Sequence, residues 1–176
     1  MWKIILNELL QNDVSIPTDK LENLKNANNI FVYGGGRSGL ALKGFAMRLA
    51  QMGKSAYVVG ETTTPAIKEN DLLIAASASG ETQGTLNMVK TARQTGAKVW
   101  LLSTSKQSTI ANIADQITIL PGKSKDSVGN EVASKQPMGS LFEQSVWLFG
   151  DAVTMDYMKF AGVSESFMRD QHANLE

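Results

Sequence analysis

The stretch Asn29-Ile-Phe-Val-Tyr33, followed directly by Gly34-Gly-Gly-Arg-Ser-Gly39, decides the fold of this chain. Its first part is a short apolar and aromatic run, which is typical of a buried β-strand. Its second part is a glycine-rich turn, after which Leu40, Phe45 and Leu49 follow at the spacing of one helix face. A buried strand, a glycine-rich turn and an amphipathic helix in this order predict the first unit of an α/β domain.

Similar units follow along the chain. Further apolar runs predict four more strands, at residues 55–59, 71–76, 98–102 and 116–120. Apolar strands that alternate with helical segments predict a parallel sheet with helices on both faces. The expected fold is therefore α/β, a doubly wound, five-stranded parallel sheet of the flavodoxin or Rossmann type.

Length and composition fit one globular domain. The chain has 176 residues, of which 43% are hydrophobic and 19% charged, so we expect residues 1–176 to form a single domain. Its 17 basic residues cancel its 17 acidic ones, so no net charge would draw it to nucleic acid or to a membrane. The chain has no cysteine and His172 is its one histidine, which excludes disulfide frameworks and histidine-rich metal centres. The apolar N-terminal stretch carries Glu8 and is too short to span a membrane, so we expect a soluble, cytoplasmic protein.

Two loops that join a strand to a helix have residues suited to binding an anion. The glycines of 34–39 allow the backbone to approach an anion closely at a helix N-terminus. The second loop, Ser77-Ala-Ser-Gly-Glu-Thr82, supplies three hydroxyl groups and contains no lysine or arginine. This composition favours a single phosphate ester over a nucleoside triphosphate with magnesium. Since the carboxyl ends of parallel strands meet at one edge of a sheet, the two loops predict one ligand site.

Both loops also have other interpretations. The spacing of Gly34, Gly36 and Gly39 fits G-x-G-x-x-G, a weak dinucleotide-binding signal for which Glu61 is a possible ribose partner. In the second loop, the hydroxyl groups could serve only as helix caps.

The second half of the chain contains a polar segment and a long helix. Residues 121–139 show no helix or strand periodicity, and loops of this length within a compact domain more often have a function than not. Their lysines, Lys123 and Lys125, are interpreted as solvated charges. Residues 140–161 predict a helix with apolar side chains on nearly every face, which would be buried in the core or between subunits. Its start, Ser140-Leu-Phe-Glu143, fits a capping box.

Four motifs together resemble the 6-phospho-3-hexuloisomerases, a branch of the sugar isomerase (SIS) domain family: GGGRSG, SASGET, QPMGSLFEQ and the terminal HANLE. The resemblance extends from the first strand to the last residue, and the last two motifs are the more specific. It implies a SIS-type fold and conversion of D-arabino-3-hexulose 6-phosphate to fructose 6-phosphate through a cis-enediol(ate), in the ribulose monophosphate pathway of formaldehyde fixation. It also implies a homo-oligomer, usually a tetramer, that needs no metal or other cofactor.

The resemblance implies roles for individual residues as well. Glu143 would be the base that takes the proton from carbon 2 of the sugar and returns it at carbon 3. His172 would lie against a neighbouring subunit's site and move a proton between the substrate oxygens. The remaining substrate-binding residues are expected in the two loops, namely Gly35, Gly36, Arg37, Ser38, Ser77, Ser79 and Thr82. Two alternatives stay open: a non-catalytic sugar-phosphate-binding module, and another phosphosugar isomerase of the family.

Overall fold

The computed structural model describes residues 1–11, 14–123 and 134–175. Each of the five predicted strands forms, with bounds that differ by at most one residue at either end: β1 Ile30–Gly34, β2 Ala56–Val58, β3 Leu72–Ala76, β4 Lys98–Ser103 and β5 Gln116–Ile119. All neighbouring strands run parallel, and their order in the sheet is β2-β1-β3-β4-β5. The predicted five-stranded parallel α/β fold is confirmed.

Within the described residues, six α-helices accompany the sheet: α1 Trp2–Leu10, α2 Thr18–Asn26, α3 Gly36–Gln51, α4 Gln83–Gln94, α5 Ser140–Ala161 and α6 Glu165–Asp170. A short 3₁₀ turn, Ala111–Ile113, precedes β5. None of the helices in the described part of the chain is long and apolar enough to cross a membrane. The polar segment predicted at 121–139 lies partly outside the described residues, as does Lys125.

Alternation along the strands divides the core into two layers. In β1, Ile30 and Val32 face a layer that contains α3 and α5, whereas Phe31 faces a layer that contains α4. Successive strand residues point to opposite faces of a sheet, so a strand covered on both sides has to be apolar throughout. This is why β1 (IFVYG) and β3 (LLIAA), in the interior of the sheet, contain no polar alternate, whereas the edge strand β5 (QITI) does.

The strand order creates a crevice at one edge of the sheet. β1 pairs with both β2 and β3, and α3 and α4 leave the adjacent ends of β1 and β3 on opposite faces of the sheet. At this edge Gly34 pairs in register with Ala76. Diverging connections leave a crevice between the strand ends, which is where open α/β sheets bind ligands.

The first turn depends on glycine because β1 and α3 approach each other closely. A Cβ atom on Gly39 would lie 2.3 Å from the carbonyl oxygen of Gly34. That neighbour is backbone and cannot rotate away, so a side chain here would push the helix off the strand.

The long helix α5 is buried on one side only. Its Gly150 packs under Phe45, and its Trp147 lies across Gly44 of α3. Trp147 and Met155 nevertheless remain 51% and 61% exposed, so one chain does not cover every apolar face of this helix.

Candidate active site

A cavity of about 730 Å³ lies at the carboxyl edge of the sheet, between the ends of β1 and β3. Both predicted loops contribute to its wall, together with the start of α5. Every site residue expected from the sequence lines it except His172: Gly35, Gly36, Arg37, Ser38, Ser77, Ser79, Thr82 and Glu143. The size suits a small ligand such as a sugar phosphate.

Three helices begin at this cavity. The N-cap residues of α3, α4 and α5 are Gly35, Thr82 and Gly139, and all three belong to the cavity wall. None of these helices receives a side-chain cap from the described residues. Apart from the Ser140 N–H, which donates to the Pro137 carbonyl, their first-turn N–H groups and the positive ends of their dipoles are therefore available to an anion.

The hydroxyl groups of Ser77 and Ser79 shape the second loop and do not cap α4. Ser77 is buried; its Oγ accepts a hydrogen bond from the Gly80 N–H and donates to Thr82 Oγ1, both at 3.1 Å. Ser79 Oγ accepts from the Glu81 N–H at 3.1 Å. The interpretation of these serines as helix caps is therefore wrong.

This bonding leaves hydroxyl protons available at the cavity. Ser79 Oγ and Thr82 Oγ1 are used only as acceptors, and Ser38 makes no side-chain hydrogen bond within the described residues. Three donors can thus turn towards a bound anion without breaking an existing bond, whereas Ser77 has already used its proton.

The second loop is braced from behind by the segment after β4. Ser103 Oγ and Thr104 Oγ1 both donate to the Ala78 carbonyl, at 3.0 and 2.8 Å. The Thr109 N–H donates to Glu81 Oε1 at 2.7 Å, and hydrogen bonding to Thr109 lowers the pKa of the Glu81 carboxyl group. The one acidic side chain of the loop is therefore engaged by protein donors.

Glu143 enters the cavity from the first turn of α5 and forms a salt bridge with Arg37. The Glu143 side chain is 19% exposed, so a ligand can reach it although most of its surface is enclosed. Arg37 uses its Nε atom for this bond, and its terminal nitrogens have no partner among the described residues. A carboxylate and unused guanidinium donors thus stand side by side in the wall.

The predicted capping box is absent. Ser140 is the first residue of α5 and not its N-cap, and its hydroxyl group donates to the Pro137 carbonyl at 2.8 Å. The Glu143 carboxylate does not reach back to the helix start, because it pairs with Arg37.

Lys123 is a cavity residue that the sequence analysis missed. It was expected to be a solvated loop charge, but it lines the cavity and is partly buried. A sequence signal existed: Lys123 follows β5 by only a few residues, and β5 ends at the same edge of the sheet as β1 and β3.

Two other candidate residues lie elsewhere. Glu61, the possible ribose partner of a dinucleotide, pairs with Lys43 at 2.7 Å and is not part of the cavity wall. His172 lies in the exposed C-terminal stretch, where its Nδ1 atom is 2.9 Å from the Ala173 carbonyl oxygen. The described residues contain no cluster of three or more histidine or acidic side chains that could hold a metal ion.

Comparison with known proteins places these features in a family. The SIS domain family model matches residues 23–145. The chain is 41% identical to the 3-hexulose-6-phosphate isomerase of Bacillus subtilis, over 98% of this chain and 95% of that protein. It is also 41% identical to the protein of the same name from Mycobacterium gastri, over 84% and 73% of the two chains.

A solved structure gives the same grouping. The hypothetical protein MJ1247 of Methanococcus jannaschii, for which a function of 3-hexulose-6-phosphate isomerase was inferred, superposes with a TM-score of 0.82. The two chains are 31% identical, and the match covers 99% of this chain and 98% of that one.

Proposed function

The chain belongs to the SIS domain family, and we propose that it isomerises D-arabino-3-hexulose 6-phosphate to fructose 6-phosphate. One feature of the cavity carries this proposal: a cradle of unused donors for a phosphate ester and a reachable carboxylate share one wall. The names of the relatives from Bacillus subtilis and Mycobacterium gastri support the same reaction.

The phosphate group binds where the two loops meet. The hydroxyl groups of Ser38, Ser79 and Thr82 donate to its oxygens, and the N-termini of α3 and α4 supply backbone N–H groups. Gly36 has a φ of +54°, with open space where a Cβ atom would be, so it leaves room for the ligand at the helix start. Lys123 adds a positive charge to the wall.

The reaction moves a carbonyl group from carbon 3 to carbon 2. The Glu143 carboxylate takes the proton from carbon 2, which leaves a cis-enediol(ate), and the same group returns the proton to carbon 3. The terminal nitrogens of Arg37 stand next to this carboxylate and can stabilise the negative oxygens of the intermediate. A proton must also pass between the two oxygens, a task that we assign to His172 because an imidazole can both donate and accept a proton.

A homo-oligomer, with a tetramer as the specific form, is part of the proposal. Leu40 and Met47 on α3 are 61% and 50% exposed, beside the half-exposed Trp147 on α5. A smaller cavity of about 290 Å³, lined by Leu40 and Trp147, also contains Arg37 and Glu143 in its wall. A second copy packed on this face would therefore border the site and could bring its own His172 there.

The proposal also covers the domain organisation, the metabolic route and the cellular location of the protein. We expect residues 1–176 to act as one SIS domain, in the ribulose monophosphate route of formaldehyde fixation. Since a phosphorylated sugar carries charges that do not cross a bilayer unaided, we expect the enzyme in the cytoplasm.

A coupled assay tests the reaction. The protein is incubated with ribulose 5-phosphate, formaldehyde and a hexulose-phosphate synthase, and fructose 6-phosphate is measured with and without the protein. We expect product only in the complete mixture. If the protein binds fructose 6-phosphate but forms none even at stoichiometric concentration, it is a non-catalytic sugar-phosphate-binding module and the proposal is wrong.

A further inference from the structure

The N-terminal helix α1 holds the segment that leads into α5 through one carboxylate. Glu8 accepts three hydrogen bonds from that segment: from Ser134 Oγ at 2.7 Å, from the Lys135 N–H at 2.8 Å and from Gln136 Nε2 at 3.0 Å. These bonds join residues about 130 positions apart in the chain. They lower the pKa of the Glu8 carboxyl group, with the backbone N–H of Lys135 as the largest cause.

The contact continues from Gln136 into α5. Gln136 is only 7% exposed, and its Oε1 atom accepts a hydrogen bond from Gln144 Nε2 at 2.8 Å. Gln144 follows Glu143 directly in the first turns of the helix. A chain of donors thus runs from Gln144 through Gln136 to the Glu8 carboxylate.

The residues between these contacts form part of the site wall. Met138 and Gly139 both line the main cavity. Met138 has a φ of +56°, in the left-handed region that a residue with a side chain seldom adopts. Such a conformation persists only where the surrounding structure holds it, and the Glu8 contacts are immediately adjacent.

We propose that Glu8 is a positioning residue: through Ser134, Lys135 and Gln136 it holds the wall residues Met138 and Gly139 and the start of α5, and so sets the place of Glu143 relative to the substrate. This rests on the proposed function for the role of Glu143, although the physical contact itself does not. Glu8 is not in the cavity wall, and the three hydrogen bonds given above go to residues 134–136 and not to the loops at 35–38 and 77–82. Its removal should therefore affect the carbon chemistry and leave phosphate binding intact.

The test uses Glu8→Ala and the milder Glu8→Gln, which keeps the length of the side chain but loses its charge. Glu22→Ala removes an exposed glutamate on α2 and is the matched control. We expect kcat for the hexulose phosphate to fall about ten- to a hundredfold in Glu8→Ala, because small misplacements of catalytic groups cost that much. The inhibition constant of inorganic phosphate should stay within about twofold of the wild type. The kcat of Glu8→Gln should be intermediate between those of the wild type and Glu8→Ala.

Hydrogen–deuterium exchange provides a second readout that needs no activity. The N–H groups of Ser140 and Glu143 bond to Pro137 and Gly139, so exchange in peptides covering 137–145 should become faster in both Glu8 variants. Peptides covering 35–40 and 77–85 should be unchanged. Because exchange is measured directly, it tests the contact even if the wild-type protein shows no isomerase activity.

Two results would overturn the proposal. One is unchanged kcat with unchanged exchange at 137–145, which would make Glu8 dispensable. The other is a uniform rise in exchange over the whole chain together with weaker phosphate binding, which would make Glu8 a general stabiliser. If Glu8→Ala does not fold, Glu8→Gln decides by the same criteria.

Discussion

At the scale of single residues, the structure separates side chains that look alike in the sequence. Ser77 and Ser79 belong to the same motif and carry the same hydroxyl group. Ser77 is buried and its proton is committed to Thr82, whereas the Ser79 proton has no acceptor within the described residues. Ser77 therefore maintains the loop, whereas the Ser79 hydroxyl group keeps a proton with which we propose that it binds the ligand.

Replacing Ser79 by alanine should weaken phosphate binding. A hydrogen bond to a charged group is worth roughly 1.5–3 kcal/mol, so we expect the inhibition constant of inorganic phosphate to rise about ten- to a hundredfold. Ser55→Ala, at an exposed serine just before β2 and outside the cavity wall, is the control. Equal phosphate inhibition of Ser79→Ala and the wild type would remove Ser79 from the binding site.

Glu143→Gln tests the proton transfer itself. A glutamine can still accept a hydrogen bond from Arg37, so the folded structure should persist, but an amide cannot accept the carbon 2 proton. Since a positioned base contributes about 10²–10⁴ in rate, turnover should fall at least a hundredfold. Exchange of solvent deuterium into fructose 6-phosphate should fall with it, and phosphate inhibition should be unchanged.

The control for this variant is Glu165→Gln, which alters another glutamate paired with an arginine, on α6 and outside the cavity wall. It should keep wild-type turnover. Near-normal turnover in Glu143→Gln would mean that the base is another group, with His172 as the first candidate.

At the scale of elements, the junction of β1 and α3 combines tight packing with an open ligand site. Its glycines have different reasons to lack a side chain. At Gly39 the Gly34 backbone leaves no space, whereas at Gly35 a Cβ atom would meet only the Thr82 Cγ2 atom, at an ordinary 3.9 Å. The first position serves the fold, and the second keeps the backbone accessible to the ligand.

Gly39→Ala should therefore destabilise the protein, and Gly35→Ala should not. Overpacking of a well-packed site costs about 1–3 kcal/mol, so we expect a loss of that size in the free energy of unfolding of Gly39→Ala. Gly35 has a φ of −79°, which alanine adopts without strain, and serves as the matched control. Urea denaturation measures both; equal stabilities would show that the strand and helix can move apart at little cost.

At the scale of the whole molecule, apolar side chains stay exposed beside the site. Leu40, Met47 and Trp147 lie on α3 and α5, the two helices that also supply Arg37 and Glu143. Large exposed apolar patches on a folded protein commonly mark an interface. A second copy on this face would bury them and enclose the site from outside.

Met47→Glu should disrupt this assembly without touching the cavity. We expect light scattering to give a mass several times the 19.0 kDa of one chain for the wild type, and a shift towards the monomer in the variant. Lys90→Glu places a glutamate at an exposed position of α4, in the layer on the other face of the sheet, and should leave the mass unchanged although it changes the net charge by more. A wild type that is monomeric and fully active at micromolar concentration would contradict the proposed oligomer.

The sequence by itself determined the strands, the fold class and the two loops that line the cavity, because each depends on local order along the chain. A continuous apolar run and the glycines that follow it can be recognised without knowing which distant residues they contact. Residues 140–161 were predicted as a helix with the bounds that the structure has. The four motifs also led to the family that the comparisons show.

Only the tertiary structure decided which side chains share a contact. Glu143 pairs with Arg37 across 106 positions of the chain, although its local sequence fits a capping box. Glu8 meets Gln136 across 128 positions, and Lys123 joins the cavity wall because β5 ends at the same edge as β1 and β3. A hydrogen bond depends on distance and direction in space, and neither follows from local spacing until the order of the strands is known.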